Sequence, residues 1–144
     1  MRMTIRTNLA MRTLMFCAVN PDRIVRRQEV AKACNVSENH LAQVIHLLAQ
    51  QKFLHTIRGR AGGLQLGRAP ETISVGEVFR AFEAPLPFAE CFDGAENTCP
   101  LYSACRLKCL LAEALSAFYA KLDSVTVADL VDNNGDLGVI LKVA

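Results

Sequence analysis

A three-residue interruption, Asn35-Val36-Ser37, constrains this chain more than any other stretch. On its N-terminal side, Arg27 to Cys34 fits a short helix with Val30 and Ala33 turned inward. On its C-terminal side, Ser37 is a good N-cap for a helix from Glu38 to about Gln51. The apolar residues of that helix, Leu41, Val44, Ile45 and Leu48, recur at helical spacing along one face. Two helices joined by so short a turn make a helix-turn-helix. Upstream, Thr7 is placed to cap a helix running through Val19, with Leu9, Leu14, Met15 and Ala18 as its apolar positions, and Asn20-Pro21 stops it.

The pattern then changes period. In "FLHTIRGRAGGLQLG", residues 53 to 67, apolar residues fall at Phe53/Leu54 and Ile57, a turn runs from Gly59 to Gly63, and Leu64 and Leu66 resume the alternation, which predicts a hairpin. After Pro70, Ser74-Val75-Gly76-Glu77 is a capping box that opens a helix to about Glu83, and Pro85-Leu86-Pro87 ends it. A long helix is expected from Ser103 or nearby to about Asp123, with a broad stripe that includes Leu107, Leu110, Leu111, Leu115, Phe118 and Leu122. Thr126-Val127-Ala128-Asp129 looks like the start of a short terminal helix. The fold class expected is mainly α with a small β-hairpin wing: a winged helix-turn-helix plus a long dimerisation helix. The division that follows is residues 1–84 for a winged helix-turn-helix DNA-binding domain, 85–104 for a cysteine loop, and 105–144 for a dimerisation helix and C-terminal tail.

Charge is divided along the chain. Residues 1–68 hold eleven Arg or Lys against three acids, whereas residues 69–144 hold five against eleven. A basic half suits a polyanion. A duplex major groove admits one helix, whose N-terminal residues reach base edges. Ser37, Glu38, Asn39, His40 and Gln43 stand at that end, and Asn and Gln pair with adenine in bidentate fashion. Arg26 and Arg27, at the start of the preceding helix, suit phosphates, while Arg58 and Arg60 on the hairpin turn suit a narrow minor groove. A helix-turn-helix of this size pairs on a palindrome, and the helix ending near Asp123, about 30 Å long by helical rise, has the apolar surface to be the pairing element. No apolar run in Met1-Arg2-Met3-Thr4-Ile5-Arg6 suits an export signal, and no stretch of the chain suits a membrane span, so the expected location is the cytoplasm, off the membrane. No Ser/His/Asp set, phosphate-binding glycine loop or carboxylate pair is evident, so no enzyme is expected.

Four of the six cysteines, Cys91, Cys99, Cys105 and Cys109, fall in one segment. A chain without an export signal keeps its thiols reduced. Structural zinc favours close C-x2–4-C knuckles, and none is present. Thiolates spread over flexible loops suit a larger object with ligands from several directions, such as an iron–sulfur cluster. Cys105 and Cys109 share one helical face. Cys17 and Cys34 read as packing residues.

Several motifs together resemble one family. Thr7-Asn8-Leu9-Ala10-Met11-Arg12, the "NVSENHL" turn and helix, the "RGRAGGLQLG" wing and "ECF…CPLYSACRLK" are similar to the iron–sulfur winged-helix transcription regulators that include IscR, NsrR and RirA, over nearly the whole chain. The resemblance implies a dimeric repressor whose DNA affinity depends on an iron–sulfur cluster held by Cys91, Cys99 and Cys105. It implies one cluster per subunit, 4Fe–4S in preference to 2Fe–2S, which air can strip. The wing arginine and the recognition helix fall on Arg60 and on Glu38 to Gln43. The "SENHL" helix and the "CRLK…DSVTVADL" tail look closest to NsrR, which implies nitric oxide as effector. Where NsrR proteins can have an acid near the start of the first helix, this chain has Asn8, as RirA-type proteins can, and it has an additional Cys109. The fourth ligand is thus left between Asn8 of the partner subunit and Cys109. The alternatives are an iron-availability regulator of the RirA or IscR kind and a metal-free, thiol-redox DNA-binding protein.

Overall fold

Helix α1, Ile5–Val19, is the hub of the molecule. The structure is a computed structural model that describes residues 3–142; Met1, Arg2 and the last two residues of the expected tail lie outside the described residues. The inward face of α1, including Leu9, Ala10, Leu14, Phe16 and Cys17, is buried, and α1 packs against α3 (Glu38–Gln50), α4 (Val75–Glu83) and α6 (Val127–Val131). The α1 cap lies one turn earlier than its sequence suggests. Thr4 is the N-cap, its hydroxyl accepting from the Thr7 N–H, while Thr7 is fully buried inside the helix. Thr7 is in that position because its hydroxyl donates to the Glu83 carboxylate at the end of α4, a partner that no local pattern reveals.

The turn between α2 (Arg27–Cys34) and α3 is built as its residues predict. Asn35 takes the left-handed conformation, φ 53°, that closes α2, and asparagine tolerates it better than branched residues do. Ser37 caps α3 by accepting from the His40 N–H at 3.3 Å. Leu41, Val44 and Leu48 are completely buried, each worth roughly 1.5–3 kcal/mol of burial. On α2 the inward residues are Val30, Ala31 and Cys34, whereas Ala33 is exposed. The buried residues share one arc of the helix surface, and Ala33 falls outside it.

Strands β1 (Leu54–Ile57) and β2 (Gly63–Leu66) pair antiparallel with Leu54 opposite Leu66 and Ile57 opposite Gly63. Val25 adds a further rung, exchanging hydrogen bonds of 2.9 and 2.7 Å with Leu64. Gly63 is required there, because a Cβ would stand 2.4 Å from the Val25 carbonyl oxygen. The hairpin is thereby fastened to the segment entering α2.

A short 3-10 turn, Pro70–Thr72, leads to α4, which the Ser74/Glu77 capping box opens. After α4 comes the cysteine segment with one 3-10 turn, Glu90–Phe92, then α5 (Arg106–Asp123), α6 and α7 (Gly135–Leu141). The long helix begins at Arg106, three residues later than its pattern suggests, because Cys105 at the cap offers no capping hydrogen bond and residues 101–104 form turns. The terminal segments return to the core. Val127 and Leu141 join the same buried cluster as Leu9 and Leu48, and Asn20 Nδ2 donates to the Leu141 carbonyl at 3.0 Å. Helix α7 was not legible because Gly135 and Gly138 mask its pattern; Asn134 caps it, accepting from the Leu137 N–H.

Candidate nucleic-acid interface and cysteine segment

The exposed side of α3 presents Asn39, His40, Gln43 and His46, so the face opposite the core holds hydrogen-bonding side chains. Glu38, next to them, is already engaged. Its Oε2 accepts from Arg27 Nε at 3.2 Å, and the pair remains open to water, with exposures of 50% for Arg27 and 39% for Glu38. This pair joins the starts of α2 and α3. The pair places Arg27 beside the start of α3, an engagement that the place of Glu38 in its helix does not announce. Ser37 is exposed and committed to capping. Arg26 is exposed and donates its backbone N–H to Glu29, whose carboxylate also takes two bonds from Arg23 Nη2 at 2.5 and 2.6 Å. Burial pushes the Glu29 carboxyl up, but the hydrogen bonds from Arg23 and Arg26 outweigh it and hold the group below the ordinary carboxylate range.

Arg58 and Arg60 are exposed on the hairpin turn, and neither forms an ion pair among the described residues. Gly59 between them has φ 103°, a conformation that side chains rarely adopt. The tip is thus a thin backbone bend with a guanidinium on each side. The expected set is divided as follows: Arg26, Arg27, Ser37, Glu38, Asn39, His40 and Gln43 lie at or around the start of α3, and Arg58 and Arg60 lie on the projecting hairpin.

The cysteines fall into two chemical classes. Cys17 and Cys34 are buried. Burial pushes the Cys17 thiol up to about 12, and it raises Cys34 as well, against the opposing effect of Arg12. Both are inert packing residues. Cys91, Cys99 and Cys105 are half-buried, Cys109 is exposed, and all of them are free thiols. No residue from Glu83 to Thr126 is buried. The segment is held by local contacts instead: Phe88 meets Phe92 edge to face at 5.8 Å, Asn97 Oδ1 accepts from the Cys99 N–H at 3.2 Å, and Glu90 accepts two bonds from Thr98. Among the described residues, no three of the Cys, His, Asp and Glu side chains are gathered closely enough to hold a metal ion. The donor set nonetheless suits an iron–sulfur cluster in its chemistry, since three reduced, accessible thiols lie on a backbone that no core fixes. Cys105 stands at the N-cap position of α5 with an extended backbone and no capping hydrogen bond, and Cys109 follows one turn later, within the helix.

Asn8 is distant in sequence and half-buried on α1, beside a surface groove of about 470 Å³ lined by residues that include Ile5, Arg12, Cys34 and Asn35. The start of α1 is tied to the end of α4. Glu83 Oε1 accepts from the Thr4 N–H at 2.9 Å and the Thr4 hydroxyl at 3.0 Å, and from the Thr7 hydroxyl. Burial would raise the Glu83 carboxyl, yet the bonds from Thr7 and Thr4 hold it below its ordinary value. This clasp joins the helix that carries Asn8 to the point where the cysteine segment departs. Arg80 on α4 grips Asp123 on α5 with two bonds of 2.5 and 2.7 Å and lies 4.5 Å from the centre of the Tyr119 ring. Neither link was legible in the sequence, because each joins residues more than forty positions apart.

Among the described residues, no helix is long and apolar enough to cross a membrane. The sequence model of the Rrf2 family, described as an iron-dependent transcriptional regulator, matches residues 3–133. A Bacillus subtilis protein, the HTH-type transcriptional regulator NsrR, is 41% identical over 144 residues, covering 99% of this chain and 99% of the relative. The solved structure of IscR from T. potens superposes with a TM-score of 0.71 at 23% identity, covering 92% of this chain and 88% of that one. Oxidized CymR from Staphylococcus aureus superposes with a TM-score of 0.72 at 22% identity, covering 92% of this chain and 97% of that one.

Proposed function

The chain belongs to the Rrf2 family of transcriptional regulators, and on that premise we propose that it is a homodimeric DNA-binding repressor that senses nitric oxide through an iron–sulfur cluster. The observation that carries this reading is a juxtaposition. A basic, well-packed winged helix is followed by a segment with no buried residue, and that segment bears three free, half-buried thiols. A regulator needs one rigid part to read DNA and one part whose order depends on a signal.

In this reading Asn39, His40 and Gln43 face base edges, Arg26 and Arg27 meet phosphates, and Arg58 and Arg60 enter the adjoining minor groove. Glu38 pairs with Arg27. Residues 1–84 are the DNA-binding unit, 85–104 the cluster loop, and α5 with the tail the pairing element. The exposed Leu107 and Leu110 of α5 support that pairing, at 60% and 61% exposure. Paired α5 helices would set two α3 helices about one turn of a palindromic duplex apart.

Cys91, Cys99 and Cys105 would hold the cluster, 4Fe–4S rather than 2Fe–2S and one per subunit, with the fourth position taken by Asn8 of the partner subunit or by Cys109. When bound, the cluster supplies iron that nitric oxide can attack and sulfide that air can oxidise away. Closing on it would draw the 85–104 loop together, and the Glu83 clasp would pass that order to α1. A coupling of a few kcal/mol between loop order and helix spacing changes operator occupancy by one to two orders of magnitude. The setting for this chemistry is the cytoplasm.

Anaerobic titration tests the assignment. With the protein prepared under nitrogen, stoichiometric nitric oxide should bleach the visible absorption and release operator DNA. The second reading, iron availability, is favoured by the neutral Asn8 and by the family description as iron-dependent. Under it, mild chelation and not nitric oxide should release the DNA. A colourless protein without iron or sulfide that still binds DNA would instead support a metal-free thiol sensor.

A further inference from the structure

Resting on the reading of Cys91 and Cys99 as cluster ligands, we infer that Glu90 is a positioning residue that closes the neck of the loop between them. Glu90 Oε1 accepts from the Thr98 N–H at 2.9 Å and from the Thr98 hydroxyl at 2.8 Å. Each end of this clasp immediately precedes a cysteine, Cys91 on one side and Cys99 on the other. Seven residues, 91 to 97, are thereby pinched off as a closed loop. Each cysteine is one Cα step, about 3.8 Å, from a clasped residue. Two thiols separated by flexible chain would otherwise have to be brought together at the moment of binding, at the cost of loop closure.

The surroundings support closure at this point. The Glu90 carbonyl accepts from the Asp93 N–H at 3.0 Å, which winds Cys91 into a 3-10 turn, and Phe88 packs on Phe92. On the other strand of the neck, the Cys99 N–H is held by Asn97, and the Cys99 carbonyl accepts from the Tyr102 N–H at 3.2 Å. Both cysteine backbones are therefore fixed locally before any ligand arrives. A carboxylate is an apt acceptor for the task, since one oxygen takes two bonds from a single residue and charge strengthens both. Thr98 is needed as well. It supplies a backbone N–H, which proline in its place would lack, together with a hydroxyl.

The test has two arms. In the metal-free full-length protein bearing Cys105→Ser and Cys109→Ser, dibromobimane fluoresces when it bridges Cys91 and Cys99. Glu90→Ala should slow that bridging at least about fivefold, the population factor set by one or two net hydrogen bonds. Glu90→Gln retains an acceptor oxygen and should stay within about twofold of the parent. A monofunctional thiol reagent should label all three proteins at equal rates. In the second arm, with every cysteine restored and the protein prepared anaerobically, Glu90→Ala should lose iron to a chelator faster than either the parent or Glu90→Gln. Bridging at the parent rate in Glu90→Ala overturns the clasp, whatever colour the protein has. Bridging that depends on Glu90 in a protein that never takes up iron and sulfide supports the clasp and overturns the cluster reading on which its purpose rests.

Discussion

Leu14, Leu41 and Leu48 of the helix-turn-helix body are completely buried, whereas Leu101, Leu107 and Leu110 of the following segment are 67%, 60% and 61% exposed. The two regions are similar in apolar character but differ in what their side chains meet. In the body, α1 supplies a surface against which α3, α4 and α6 pack. From Glu83 to Thr126 the chain supplies no interior of its own; it is tied down by clasps, Glu83 with Thr4 and Thr7, Glu90 with Thr98, and Arg80 with Asp123, and by Leu122 and Val125, which pack on the core of the body. Apolar surface left open on one long helix points to an interface, and thiols on a coreless loop point to a ligand. The first region is closed around a core that α6 and α7 help to fill; the second leaves apolar side chains and thiols open.

The largest effect that would separate the regions is all-or-none. Cys99→Ala should abolish the visible cluster absorption while leaving the far-UV helix signal intact, because no core residue is lost. Absorption that survives in an anaerobic preparation would remove Cys99 from the ligand set. Next comes packing. Leu48→Ala should cost about 2–5 kcal/mol in urea unfolding, and Leu110→Ala should change the stability of the chain by only ~0.5 kcal/mol while shifting the dimer toward monomer in sedimentation. Equal losses of unfolding stability would erase the distinction between body and segment. A third change acts on the body's outer surface. Arg60→Ala should weaken specific DNA binding by roughly 1–3 kcal/mol in a gel-shift assay, with no loss of folding stability. Unchanged affinity would place the hairpin outside the groove.

A further effect concerns the seam between the regions. Glu83 has its carboxyl held below the ordinary range by Thr7 and Thr4, against the opposing pull of burial. A depressed carboxyl contributes stability that is present above its unfolded value, about pH 4.3, and is lost as pH falls through the folded value. Glu83→Gln should therefore cost about 1 kcal/mol at pH 7 and less as the medium is acidified below pH 4.3. A cost that does not change with pH would mean that the carboxylate charge is not what holds α1 to α4.

Legibility did not follow that division. At several points of the body local rules were enough: Ser37 caps α3, Ser74 and Glu77 open α4, and the apolar spacing of Leu41 to Leu48 identifies the buried face. Local rules failed where a distant partner overrode them. Thr7 looked like a cap and is buried, because Glu83 reaches it from α4. Ala33 looked inward, but the buried arc of α2 carries Ala31. Helix α7 was hidden by its two glycines. Around the candidate site, side-chain engagements were not legible. Glu38 reads as a groove residue and is found paired with Arg27, and Glu90 carries no signal until Thr98 is seen beside it. Polar clasps across 8 to 79 positions leave no periodic trace in a sequence.

The central claim is that order in the cysteine segment sets the grip of the winged helix on DNA. The most direct test is the dissociation constant of one anaerobic preparation on a selected palindromic operator, measured at fixed salt before and after removal of its iron and sulfide. The holo form should bind at least about tenfold more tightly, within the range of ordinary allosteric coupling. Equal dissociation constants for the two forms would contradict it.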